Sequence, residues 1–146
     1  MADITQEMLD ELVTRAQGAR ERAYAPYSRF KVGAAVLAES GRIYEGANVE
    51  NASYPAGMCA ARNAIGAAVC GGERRLVALA VCGGPEGEPA GYCPPCGICR
   101  QAMREFCDPA EFRVIEARAP GDYRVHTLDA LLPESFGPDS LRPATA

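Results

Sequence analysis

Three cysteines constrain this chain more than any other residues. Cys96 and Cys99 form a Cys-x-x-Cys pair inside Tyr92 to Phe106, and Cys59 lies upstream in Met58-Cys59-Ala60-Ala61-Arg62. Both stretches read as helix starts. The positive end of a helix lowers the pKa of a thiol and favours the thiolate that metals bind. A fold that uses all three must bring two helix starts to one point. Three thiolates then leave one position of a tetrahedral Zn²⁺ open, the arrangement of a catalytic site rather than a closed structural one. Arg62 and Arg100, one on each liganding helix, are placed to offset the surplus negative charge by hydrogen bonding to sulfur.

Plainer readings stand beside this one. A Cys-x-x-Cys pair also serves redox chemistry, and cysteines are often simply buried apolar residues, the expectation for Cys70, Cys82 and Cys107. Cys93 continues the spacing of three and, with Cys59, Cys96 and Cys99, could close a four-cysteine structural site. Pro94-Pro95 stiffens its approach and weighs against that.

The chain has 146 residues, enough for one domain with an ordinary core. Hydrophobic residues make up 48% and charged ones 23%, the balance of a globular chain. A net charge of −4, one lysine and scattered arginines argue against a polynucleotide or an anionic membrane as partner. A small uncharged or cationic substrate suits that charge better. The polar, acidic start has no leader pattern, and no apolar run approaches the ~18 residues of a bilayer span. An odd seven cysteines favours reduced thiols over a disulfide framework, so the expected compartment is the cytoplasm.

Thr5 begins a helical stretch in which Met8, Leu9, Leu12, Val13, Ala16, Ala19 and Ala23 recur on one face, and Pro26 ends the pattern. Phe30 to Ala38 and Ile43 to Val49 read as strands joined by a Gly-containing hairpin turn. Asn51 to Pro55 is turn-rich. Alanine dominates Met58 to Cys70, and Gly71-Gly72 supplies a stop. Leu76 to Cys82 is a nearly continuous apolar run, as in a strand covered on both faces. Gly83 to Pro95 is loop-like, with four prolines and four glycines. A helix over Cys96 to Phe106 and a strand over Phe112 to Ala117 come next. Tyr123 to Val125 is a last strand or turn, Thr127 caps a helical turn through Leu132, and the tail from Pro133 is irregular. This order predicts a single α/β domain over 1–146, a mixed sheet sandwiched by helices.

Five segments, in order, resemble the small zinc-dependent cytidine deaminases. They are Tyr24-Ala25-Pro26-Tyr27-Ser28-Arg29-Phe30-Lys31-Val32-Gly33-Ala34-Ala35, Asn48-Val49-Glu50-Asn51-Ala52-Ser53-Tyr54, Cys59-Ala60-x-Arg62, Pro95-Cys96-Gly97-Ile98-Cys99-Arg100-Gln101 and Leu131-Leu132-Pro133-Glu134-Ser135-Phe136-Gly137. The resemblance implies a three-layer α-β-α fold with a five-stranded mixed sheet. It implies Zn²⁺ held by Cys59, Cys96 and Cys99, with a pyrimidine nucleoside as substrate. Asn48 and Glu50 would bind the ribose hydroxyls, and Phe30 would stack on the base. Taken alone, these three would be a strand-end cap, a solvated charge and a core aromatic. The family is typically a homotetramer, in which Ala52, Tyr54 and Phe136 of neighbouring chains complete each pocket.

One position departs from the pattern. The family motif reads Cys-Ala-Glu-Arg, and here Ala61 stands in place of the glutamate. That glutamate takes a proton from the attacking water and delivers protons to ring N3 and the departing amine. Alanine titrates nothing, and general acid–base catalysis contributes about 10²–10⁴ in rate. His126, the one histidine, has no motif around it and reads as a surface or capping residue, so it supplies no substitute. Glutamate is not a ligand, so zinc and nucleoside binding should survive. The expected function is cytidine and 2′-deoxycytidine deamination on a scaffold that has lost its proton shuttle. The alternatives are a deaminase of a modified cytosine nucleoside, N4-substituted or an antibiotic analogue, and a natural nucleoside-binding pseudoenzyme.

Overall fold

The computed structural model describes residues 3–141. Helix α1 (Gln6–Arg20) starts on Thr5, whose hydroxyl accepts from the Met8 N–H. It leads to the hairpin β1 (Phe30–Ala38) and β2 (Ile43–Ala47), whose turn places Gly41 at φ +92°, a conformation glycine adopts without strain. Helix α2 (Ala60–Cys70) is capped by Cys59 and ends at Gly71, and β3 (Leu76–Pro85) comes after it. Helix α3 (Gly97–Arg104), capped by Cys96, precedes β4 (Arg113–Ala119) and β5 (Asp122–Thr127). Two short helices finish the described chain, α4 (Leu128–Leu131) on the Thr127 cap and α5 (Pro138–Leu141). The expected irregular tail thus contains a helical turn, started by Pro138.

The sheet order is β2-β1-β3-β4-β5. β1 is antiparallel to both β2 and β3, so β2 and β3 point the same way. β3 and β4 are parallel, and β4 and β5 close as an antiparallel pair. This is the expected five-stranded mixed sheet. Alternation along each strand splits the core in two. Ala35, Leu37, Ala78, Ala80 and Ile115 face α1, while Ala34, Val36, Leu79, Val81 and Val114 face α2 and α3. Small residues in the sheet allow close approach: a Cβ on Gly46 would stand 2.5 Å from the Ala60 carbonyl oxygen of α2.

Two crossovers result from the strand directions. α2 starts after the carboxyl end of β2, and α3 after the carboxyl end of β3. Both pack on the same face, so their N-termini emerge side by side at one end of the sheet, where open α/β folds bind ligands.

Candidate metal and nucleoside site

That convergence assembles the cysteines. Cys59 Sγ lies 4.0 Å from Cys96 Sγ, which lies 3.5 Å from Cys99 Sγ, and all three sulfurs fall within 4.8 Å of one another. Tetrahedral zinc with Zn–S bonds of ~2.3 Å requires sulfurs about 3.8 Å apart, so the triad fits the ion. Burial opposes a charge on Cys96, but hydrogen bonds from the Cys99 backbone, from the Cys99 and Cys59 thiols and from the Ile98 backbone together outweigh it and hold the Cys96 thiol below its ordinary pKa. Cys99 is buried, and burial pushes its thiol the other way. Among the described residues this is the only group of three or more such ligand side chains placed to hold an ion.

The arginines divide the work differently from expectation. Arg62 Nη2 reaches Cys59 Sγ at 3.7 Å, and that bond strengthens the hold of the guanidinium on its proton. Its Nε is buried without a partner. Arg100 does not bond to sulfur. Its Nε donates to the Pro95 carbonyl at 2.8 Å and its Nη1 to the Leu131 carbonyl at 2.7 Å, so these two backbone acceptors take up its donors. It fastens the segment before Cys96 to the end of α4.

Two hollows adjoin the triad, and Asn48 and Cys59 line both. The smaller, about 220 Å³, is walled by Val32, Ala61, Val81, Cys93 and the three metal-type thiols. Ala61, in the first turn of α2, is 3% exposed and contributes its methyl to this wall. Among the described residues, no carboxylate or imidazole lines that hollow. The larger, about 510 Å³, is lined by Tyr27, Ser28, Glu50, Tyr54 and Arg62, among others.

Glu50 and Asn48 are neither a free charge nor a plain cap. Glu50 Oε1 accepts from the Tyr27 and Ser28 N–H groups at 3.0 and 3.1 Å, and Oε2 accepts from the Ser28 hydroxyl. That hydroxyl is the main cause of a carboxyl pKa below the ordinary range. Asn48 Oδ1 accepts from the Val32 N–H and its Nδ2 donates to the Phe30 carbonyl, both at 2.9 Å, so the side chain extends the β1 ladder past the end of β2. Both line the larger hollow, and Asn48 the smaller one as well. Phe30 lines neither hollow; its ring edge packs over Gly83 beside Cys93, where a Cβ would come within 3.1 Å of it. Tyr54 is exposed and pairs its ring with Tyr27 at 6.0 Å, while Ala52 and Phe136 are exposed and outside both hollows.

Other cysteines obey burial unevenly. Cys82 is buried, with its thiol pushed up to about 11, and Cys107 is half-buried, pushed up to about 12. Cys70 is exposed, against expectation, because the last residue of α2 turns away from the sheet. His126 does not cap a helix. Its Nε2 lies 3.6 Å from the carboxylate of Glu116, the one buried charged residue among those described. The cross-strand register of β4 and β5, invisible without pairing, brings them together.

Comparisons with known proteins agree with this geometry. A cytidine deaminase of Sporosarcina psychrophila is 43% identical over 133 residues, covering 91% of this chain and 94% of its own. One from Halalkalibacterium halodurans is 46% identical over 125 residues, covering 86% and 91%. The crystal structure of cytidine deaminase from Burkholderia pseudomallei superposes with a TM-score of 0.78 at 42% identity, covering 91% of this chain and all of that one. The family described as cytidine and deoxycytidylate deaminase zinc-binding region matches residues 6–114. With the paired helix starts, the three thiols and the hollows at the carboxyl ends of the strands, these matches place the chain in the cytidine and deoxycytidylate deaminase family.

Proposed function

We propose that this chain is a cytidine and 2′-deoxycytidine deaminase scaffold that holds Zn²⁺ and a pyrimidine nucleoside but turns over very slowly. The observation that carries this reading is Ala61 in the wall of the hollow that the three thiols share, with no carboxylate or imidazole among the described residues lining it. Cys59, Cys96 and Cys99 would hold the ion, which when bound supplies a Lewis acid for activating water. The base would enter the smaller hollow toward Ala61. Glu50 and Asn48, fixed by their backbone bonds, would present a carboxylate oxygen and an amide to the ribose hydroxyls. Phe30 would close over the base from the Gly83 side. No carboxylate or imidazole among the described residues of the smaller hollow is then at hand to move protons between water, ring N3 and the departing amine.

A homotetramer in the cytoplasm is the assembly and place that fit. No helix among the described residues is long and apolar enough to cross a membrane. Tyr54 is 76% and Phe136 59% exposed, large apolar surfaces suited to completing a neighbour's pocket. The 146 residues would act as one domain.

The test is Ala61→Glu. The variant should form uridine and ammonia from cytidine at least ~10²-fold faster than the parent. Both proteins should bind one zinc per chain and cytidine in calorimetry. Binding without any gain in rate would instead favour a nucleoside-binding chain that does no catalysis. A gain confined to N4-substituted cytosines would move the substrate to that class.

A further inference from the structure

Tyr92 lines neither hollow, yet both its ring and its hydroxyl are engaged. The guanidinium of Arg124 lies 4.1 Å from its ring centroid and that of Arg118 5.1 Å. Its hydroxyl donates to Asp122 Oδ1 at 2.5 Å, and Asp122 Oδ2 in turn pairs with Arg118 Nε at 3.3 Å. Strands β4 and β5 thus grip one residue of the loop between β3 and α3. Cation–π contacts of this kind hold an aromatic ring by about 0.5–1 kcal/mol each at exposed sites.

The residues after Tyr92 give that grip a purpose. Cys93-Pro94-Pro95 leads directly to Cys96. Two successive prolines fix φ at about −65°, so the arm transmits the placement of one end to the other. Along it, Cys93 Sγ packs down on Gly83, where a Cβ would come within 2.9 Å, and Pro95 is buried with its carbonyl held by Arg100. Gly91 bridges back to Gly83, which fixes the near side of the arm to the sheet. Cys96 is exposed and stands at the far end. There it caps α3, its carbonyl accepting from the Arg100 N–H at 3.0 Å and its sulfur from the Ile98 and Cys99 N–H groups, so the arm and the helix start together set its place.

We propose that Tyr92 is a positioning residue for the metal triad. Clamped between Arg118, Arg124 and Asp122, it sets the place of Cys96 Sγ through the diproline arm and holds Cys93 as a wall of the smaller hollow. This rests on the zinc reading above. Residues outside the ligand shell that orient a ligand typically change metal affinity 10–100-fold.

The experiment loads the full chain with Zn²⁺ or Co²⁺ and compares the parent with Tyr92→Leu, Tyr92→Phe and Arg124→Gln. Release of zinc to a chromogenic chelator gives the rate, and the cobalt d–d and sulfur-to-cobalt bands report ligand geometry. Tyr92→Leu should release zinc about tenfold faster and shift the cobalt bands. Tyr92→Phe keeps the ring between the guanidiniums and should recover most of the parent rate, with Arg124→Gln falling between. The metal-free proteins should unfold at similar temperatures. Parent-like release and spectra in both Tyr92→Leu and Arg124→Gln would overturn the assignment. So would faster release matched by an equal loss of metal-free stability, since that is general destabilisation. Failure of the parent itself to bind either ion would remove the zinc reading, and the role of Tyr92 with it.

Discussion

Arg62 Nη2 donates to Cys59 Sγ across 3.7 Å, one helical turn along α2 from the cysteine that caps it. The bond ties the Cys59 sulfur to the only guanidinium hydrogen-bonded to the triad among the described residues. Replacing Arg62 with Met keeps much of the side-chain bulk and removes that donor. Zinc release to a chelator should accelerate about 10–100-fold, while Arg62→Lys should recover only part of the loss, since an ammonium is a point charge on a differently shaped stem.

Cys93 offers a sharp distinction between an open and a closed site. Its thiol lines the hollow but stands outside the sulfur triad. Cys93→Ser should retain one zinc per chain by elemental analysis, and Cys96→Ser should retain almost none. Loss of zinc from Cys93→Ser would make the site a closed four-cysteine one.

Gly46 carries no motif, yet a Cβ there would lie 2.4 Å from the Ala64 nitrogen and 2.5 Å from the Ala60 oxygen. Both are backbone atoms of α2, so the helix itself must move. Gly46→Ala should lower stability by about 1–3 kcal/mol in denaturant titration. Because Ala60 adjoins Cys59, zinc retention should fall too. Gly66→Ala, on the open side of the same helix, meets nothing within 4 Å and should be stable or slightly better.

The Glu50 carboxylate binds its proton less tightly folded than unfolded, the Ser28 hydroxyl being the largest cause. The unfolded chain therefore takes up the proton first as pH falls. The contribution of Glu50 is present above the ordinary carboxylate range and lost as pH drops through the lowered folded value. Thermal midpoints of parent and Glu50→Gln, measured from pH 7 to pH 3, should converge at the acid end. A constant gap across that range would refute the linkage.

The sequence carries the elements well and their partners poorly. Phe30 to Ala38 emerges with the predicted bounds because apolar pattern and flanking turns agree. The apolar run predicts a strand ending at Cys82, yet β3 runs to Pro85, because Phe30, Lys31 and Val32 of β1 pair with Pro85, Gly84 and Gly83. Local propensity there loses to an available ladder. The helix expected from Met58 begins instead at Ala60, since Met58 bridges back to Val49. Cys59, Cys96 and Cys99 are legible because ligand chemistry leaves a spacing. The roles of Arg100, His126 and Tyr92 are not: their partners at Leu131, Glu116 and Arg124 are set by strand register and helix docking, and no local pattern records either.

Cys59 and Cys96 are 37 positions apart, with all of α2 and β3 and the clamped loop between them. An ion joining their sulfurs closes that segment into a ring. For a covalent link, a loop of that length removes about 4 kcal/mol of chain entropy from the unfolded state. Resistance to unfolding is therefore tied to the ion and not to Ala61, which ligates nothing. Whatever Ala61 does to the rate, an ion held by these sulfurs would supply that restraint unchanged, and proteolysis of the chelated and metal-loaded forms should differ first within that ring.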